Sequence, residues 1–158
     1  MIDCVYYNDY VKCFRDGRVE RIDKRFKNPK WRIIENTDNE NGYNDIKING
    51  VYIKRHRLMA YCFLGLKNIV GKSGANDCID HIDNNKLNNS VENLRITTPQ
   101  GNNQNTKAKG YYWDKRRKKY QASIRLNGKL IYLGYYDTEE EAHEAYLRAK
   151  PIYHTFRL

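Results

Sequence analysis

The run CIDHIDNNKLNNSVENLRITTPQGNN, residues 78–103, constrains this chain more than any other stretch. Residues 78–81 and 94–97 read as two short strands. Between them lies DNNKLNNSVEN, a loop of the Asn- and Asp-rich kind that turns favour. Thr98 is a good N-cap and Pro99 suits the first helical position, so a helix is predicted from Gln100 to about Lys107. The pattern is strand, loop, strand, capped helix. It places the side-by-side pair Asp80 and His81 at the end of the first strand. Alone, an Asp-His pair reads as a surface turn, Asn93 as a turn residue, and Asn102-Asn103 as a solvated helix face. In register, as D-H-x-D-x-N-x-x-N-N-x-x-x-N-L followed by the capped helix, they form one constellation.

That constellation resembles the ββα-metal core of HNH nucleases. The resemblance implies metal-assisted cleavage of a phosphodiester, with a role for each matching residue. Asp80 matches the metal-binding carboxylate and His81 the general base. Asn93 matches the structural asparagine that pins the loop. Asn102 takes the place of the second metal ligand, with Asn103 as the competitor if the register slips by one. The residue types suit that chemistry. An imidazole titrates near neutral pH and can take a proton from water. A hard cation on Asp80 and Asn102 would stabilise charge on phosphate oxygens and on the leaving 3′ oxygen. One Mg2+ or Mn2+ per chain is expected, because Asn in place of His disfavours softer metals such as Zn2+. Cys4, Cys13, Cys62 and Cys78 form no C-x2-C pair, so no structural zinc is expected. They read as reduced, partly buried thiols, with a disulfide as the alternative.

The rest of the chain reads as α+β. Residues 1–55 alternate short apolar groups with turn signals and predict a small antiparallel sheet module. It ends in a hairpin at about 45–54, around Asn49-Gly50. Residues 56–64 have helical spacing at Leu58, Met59, Cys62 and Phe63, and Gly65 stops that helix. A loop follows at 65–77. The nuclease core is set at 56–107. The stretch Lys54-Arg55-His56-Arg57-Leu58 resembles the segment before the core in phage-type HNH homing endonucleases. His56 and Arg57 then approach the DNA backbone or the scissile phosphate; the alternative is a basic helix start on the surface.

Residues 108–158 predict three strands and a helix. Asn127-Gly128 joins the last two strands. Thr138 and Glu141 make a capping box, Ala142, Ala145, Tyr146 and Ala149 share one helical face, and Pro151 is expected to end the helix. This tail resembles the plant Apetala/ERF DNA-binding domain at Gly110–Trp113, Tyr120–Arg125, Tyr132–Tyr136 and Glu141-Ala142. Leu130 and Tyr132 depart from that family, which often has Arg and Trp there. The resemblance implies that the sheet lies in the major groove. Alternation independently puts Gln121, Ser123 and Arg125 on one face, suited to base edges and phosphates, Arg to guanine and Gln to adenine. Lys115, Arg116 and Arg117 crowd the first turn and would meet phosphates. Trp113 and Tyr132 complete the expected DNA-binding set.

Charge agrees with a polyanionic partner. The chain carries a formal net charge of +10, and residues 107–158 hold 12 basic against 6 acidic side chains. No apolar run approaches a membrane span, and the N-terminus lacks a signal-peptide pattern, so an intracellular protein in host cytoplasm or nucleus is expected. The sequence therefore predicts an HNH endonuclease of homing type, from a virus or mobile element, acting on double-stranded DNA. A monomer is expected, with a dimer as the alternative. The competing reading is a DNA-binding regulator that keeps a silent nuclease scaffold.

Overall fold

The computed structural model describes residues 2–25, 27–35, 41–70 and 77–154, and the backbone of 37–38. The strands are β1 (Cys4–Asn8), β2 (Val11–Phe14), β3 (Val19–Asp23), β4 (Lys30–Ile33), β5 (Thr37–Asp38), β6 (Asn44–Ile48), β7 (Val51–Lys54), β8 (Cys78–His81), β9 (Leu94–Thr97), β10 (Tyr111–Asp114), β11 (Lys119–Leu126) and β12 (Lys129–Tyr136). The helices are α1 (Arg55–Phe63), α2 (Pro99–Gln104) and α3 (Glu139–Tyr153), with a 3-10 turn at Val91–Asn93. The class is α+β, with small antiparallel sheets in the orders β1-β2-β3-β4, β5-β6-β7, β8-β9 and β10-β11-β12.

The chain divides into two units, 1–105 and 106–158. The N-terminal strands and the segment from 56 onward, set apart by the sequence reading, belong to one unit. The reason is a shared core. Val11, Cys13 and Val19 from the first sheet, Ile46, Ile48 and Ile53 from the second, Leu58 and Met59 of α1, and Val91 and Leu94 of the third region pack in one cluster. Neither small sheet can bury enough apolar surface alone.

Helix α1 holds that cluster together. Every residue from Arg55 to Ala60 is buried, so it is not the one-faced helix its spacing predicts. Leu58, Met59 and Ala60 are fully enclosed. The two arginines turn inward. Arg57 donates from Nε to the Ile69 carbonyl (3.1 Å), from Nη1 to Asp77 (2.9 Å) and from Nη2 to Asn68 (2.6 Å). Arg55 donates to the carbonyls of Gly17 (3.2 Å), Ile34 (2.8 Å) and Glu35 (3.4 Å). The buried guanidinium groups thereby serve irregular backbone carbonyls, although Arg55 Nε itself is buried without a hydrogen bond. Leu64 and Leu66 N–H groups both close on the Ala60 carbonyl, and Gly65 turns the chain away at φ +78°. Residues 71–76 of the predicted 65–77 loop lie outside the described residues.

All four cysteines are free thiols. Cys13 is pushed well up by its hydrogen bond with Cys62 and by burial.

In the second unit, Asn127 and Gly128 both take positive φ and join β11 to β12 with Leu126 opposite Lys129. Ala122 and Ile124 face α3, which presents Ala142, Ala145, Tyr146 and Ala149. The Thr138–Glu141 capping box forms. The helix does not stop at Pro151; it continues to Tyr153. Pro151 falls in the last turn, so it withholds an N–H only from the Leu147 carbonyl, and the His154 N–H still reaches Lys150. A β-bulge shifts the β11–β12 register between Ala122 and Ser123.

Two glycines test the seating of the first unit. An added Cβ at Gly17 (φ +88°) would stand 2.7 Å from the Asn89 carbonyl carbon, whereas at Gly50 (φ +82°) it would meet nothing within 4 Å. Gly50→Ala should cost about 1–2 kcal/mol of left-handed strain. Gly17→Ala should cost about 1–3 kcal/mol more from overpacking. Urea unfolding of both variants measures the difference. Arg57→Met, which strips three carbonyls of their donor, should lower stability by about 2–4 kcal/mol in the same assay.

Candidate active site

The β8–β9 ladder pairs Asp80 with Arg95 and His81 with Leu94. Asp80 and His81 are 4% and 5% exposed, so neither sits on a surface turn. The Asp80 carboxylate is fully engaged. Its Oδ2 accepts from Arg95 Nε (2.8 Å) and Nη2 (2.5 Å), and its Oδ1 from Asn105 Nδ2 (3.0 Å). The same Asn105 amide donates to the His81 carbonyl (2.8 Å) and to that of Ile82 (3.3 Å). A buried carboxylate needs such partners.

Asn93 braces the loop that follows. Its Nδ2 donates to Asp83 Oδ1 (2.9 Å) and to the Asn88 carbonyl (2.8 Å), and its Oδ1 accepts from the Asp83 N–H (3.0 Å). Its own carbonyl accepts from the Ile82 N–H (2.8 Å). Desolvation pushes the Asp83 carboxyl up, but hydrogen bonds from the Asn85 N–H and the Asn88 and Asn93 amides outweigh it and leave the group lowered.

The His81 ring is enclosed by Asn89, His56 and Tyr43. Its Nε2 lies 3.4 Å from Asn89 Oδ1. The His56 ring meets it edge-on at 5.1 Å between centroids, and Tyr43 touches both rings. Burial pushes the His81 imidazole below its usual range, against the Asn89 hydrogen bond and the Asp83 and Asp80 carboxylates, which act the other way. Burial also drives His56 down to about 3, aided by His81, Lys54 and Arg57. His56 is therefore neutral at neutral pH, and burial favours the neutral form of His81. The ammonium groups of Lys54 and Lys86 lie 4.6 and 4.7 Å from the centre of the Tyr43 ring, giving the site a basic rim.

The structure brings together Asp80, His81 and Asn93, and sets two expected residues elsewhere. Asn102 is exposed; the amide that reaches Asp80 is Asn105, one turn further on. Asn103 is exposed as well. Helix α2 ends at Gln104 rather than near Lys107, because Asn105 caps it while its side chain ties down the end of β8. The reading of Arg57 as a DNA contact is corrected: its whole fork is spent on backbone carbonyls. His56 is buried against His81, not on an exposed helix start. Sequence reasoning missed Asn105, Arg95, Asn89 and Asn44. The repeated asparagines were visible, but only the folded register separates one from another.

The donor chemistry around Asp80 fits a hard divalent cation. Asp80 offers a buried carboxylate of the kind such a cation takes, but its oxygens now accept from Arg95 and from Asn105 Nδ2, so the Asn105 amide would have to turn its Oδ1 inward, or the exposed Asn102 reach in, to complete the donor set. Among the described residues no cluster of three or more His, Cys, Asp or Glu side chains is arranged to hold a metal. Asp80 would therefore hold such a cation only together with amide or solvent oxygens.

The second unit presents a polar and aromatic sheet face. Tyr112, Gln121, Ser123, Arg125, Leu130, Tyr132 and Tyr135 lie opposite α3. Tyr112 and Tyr135 hydroxyls both donate to Gln121 Oε1 at 2.7 Å. Trp113 does not join this face. It pairs with Tyr120 and packs on that ring at 4.7 Å, on the helix side, because strand alternation puts Tyr112 outward. In the first turn, Asp114 Oδ1 accepts the N–H groups of Arg116 and Arg117, leaving Lys115 and Arg116 exposed. Arg117 lies over the Tyr135 ring.

Comparison with known proteins finds relatives for part of the chain. A protein of Acanthamoeba polyphaga mimivirus, described as an uncharacterized HNH endonuclease, is 37% identical over 92 residues, covering 56% of this chain and 49% of that protein. Protein 3.8 of Escherichia phage T7 is 37% identical over 59 residues, covering 32% of this chain and 49% of that one. The chain spans about half the length of these curated relatives. Among solved structures, that of the HNH homing endonuclease I-HmuI, described as binding and cleaving DNA, matches with 26% identity and a TM-score of 0.45, over 63% of this chain and 52% of that one. Residues 54–104, which include Asp80, His81 and Asn93, match the model of the HNH endonuclease family, and over that stretch the chain carries an HNH endonuclease domain.

Proposed function

We propose that this chain is a metal-dependent endonuclease of homing type that nicks or cleaves double-stranded DNA by hydrolysis. The observation that carries the reading is the pair at the end of β8: an enclosed His81 imidazole, 5% exposed, next to a buried Asp80 carboxylate. His81 takes a proton from the attacking water, for which a neutral ring is required. Asp80, with Asn102 or Asn105, would hold Mg2+ or Mn2+. When bound, the ion supplies charge stabilisation at the phosphate oxygens and the leaving 3′ oxygen. Lys54 and Lys86 meet the DNA backbone at the rim. The sheet face of residues 106–158 binds duplex DNA in the manner of an Apetala/ERF domain, with Arg125, Ser123, Gln121 and Tyr132 at base edges or sugars and Lys115 and Arg116 on phosphates. One such site per chain suits a nick by a monomer, and two strands would need two events.

A second reading, DNA binding without cleavage, is favoured by one observation: Arg95 already balances the charge of Asp80. Supercoiled plasmid separates the two. With Mg2+ or Mn2+ the wild type should yield relaxed circles, EDTA should abolish them, and His81→Ala should lower the rate about 10²–10⁴-fold. A plasmid that shifts in a gel yet stays supercoiled in both metals would establish the binding reading. The phosphate contacts have their own signature. Lys115→Ala and Arg116→Ala should each reduce the slope of log affinity against log salt by about one, and Arg57→Gln should leave it unchanged.

A further inference from the structure

Three buried amides and rings form a chain behind the site. Asn44, at the start of β6, is 1% exposed, Asn89 is 4% exposed and His81 is 5% exposed. Asn89 Nδ2 donates to the Leu87 carbonyl (2.9 Å) and to Asn44 Oδ1 (3.0 Å). A backbone carbonyl can only accept, so the Leu87 contact settles which end of the Asn89 amide is nitrogen. The oxygen then faces His81, where it stands 3.4 Å from Nε2. An amide oxygen can only accept, so a favourable contact requires hydrogen on Nε2. In a neutral imidazole that leaves the lone pair on Nδ1.

We propose that Asn89, oriented by Leu87 and Asn44, is a positioning residue that holds His81 as its Nε2–H tautomer and makes Nδ1 the proton-accepting nitrogen. The catalytic consequence rests on the nuclease reading above; the tautomer does not. In the reaction the water proton moves to Nδ1, and the ring becomes an imidazolium that still donates Nε2–H to Asn89. The backbone of Asn89 is itself seated on Gly17, whose lack of a Cβ admits it. The first sheet thus reaches the base through packing at Gly17, and the second through Asn44.

Nitrogen-15 NMR of histidine-labelled protein, at a pH where the ring is neutral, tests this directly. The His81 signals are assigned by their loss in His81→Gln. The expected spectrum has a protonated-type shift at Nε2 and a bare, pyridine-type shift at Nδ1. Asn89→Leu should give a mixture of tautomers and a nicking rate lower by about 10–100-fold. Asn89→Asp keeps an acceptor and should restore the Nε2–H form. A wild-type ring carrying its hydrogen on Nδ1 overturns the proposal, even if a variant fails to fold. So does an unchanged tautomer in folded Asn89→Leu. If the tautomer is as expected but no plasmid is nicked, the nuclease reading fails and the positioning role stands.

Discussion

One side chain determines the path of the loop on which the site depends. The Asn93 amide spends both its nitrogen and its oxygen on the residues just after β8, and its backbone carbonyl takes the Ile82 N–H. An Asn-rich loop has no ladder of its own and would otherwise sample many paths. Closed in this way, it delivers Asn89 to His81 and holds β8 against β9. Asparagine suits the position because it supplies donor and acceptor on one short, rigid fork. Aspartate would lose the donor, and like charge would set it against Asp83.

The buried arginines extend the same logic. A guanidinium taken out of water needs hydrogen-bond acceptors, and irregular segments carry carbonyls that no strand or helix serves. Arg57 gathers the carbonyls of Asn68, Ile69 and Asp77, which fixes where the chain enters β8. Arg55 gathers those of Gly17, Ile34 and Glu35, which fixes the N-terminal sheet. From one helical turn, two cations therefore organise both sides of the core. Their charge is not available to an outside phosphate.

This explains what was legible in the sequence. Strand–loop–strand–capped helix was visible because its signals are local: Thr98, Pro99 and the asparagine spacing act within a few residues. The hairpins at Asn49-Gly50 and Asn127-Gly128 were visible for the same reason. Arg57 was misread because a Lys54-Arg55-His56-Arg57 run looks solvated, and only distant carbonyls reveal otherwise. Asn102 and Asn105 differ by one turn of a short, weakly specified helix, so the choice between them rests on tertiary contact with Asp80. Asn44 lies 45 residues before Asn89, and no local pattern links them.

In the second unit a single bulge decides what the sheet offers. Ala122 pairs with Gly134 while Ser123 pairs with Tyr132, so Leu133 is inserted and alternation changes phase there. Ile131 and Leu133 face the helix before the bulge and Tyr136 after it, so Tyr132 and Tyr135 both point outward. Gly134 sits at φ +139°, where a side chain would be strained. The phase change brings the Tyr135 hydroxyl onto Gln121, opposite that of Tyr112. Glutamine recognises adenine by using amide oxygen and nitrogen together. The Gln121 oxygen accepts from Tyr112, and the single Tyr135 proton is shared between that oxygen and Asp114 Oδ2, 3.2 Å away. Gln121 is therefore held on this face by its two tyrosine neighbours as well as by strand alternation.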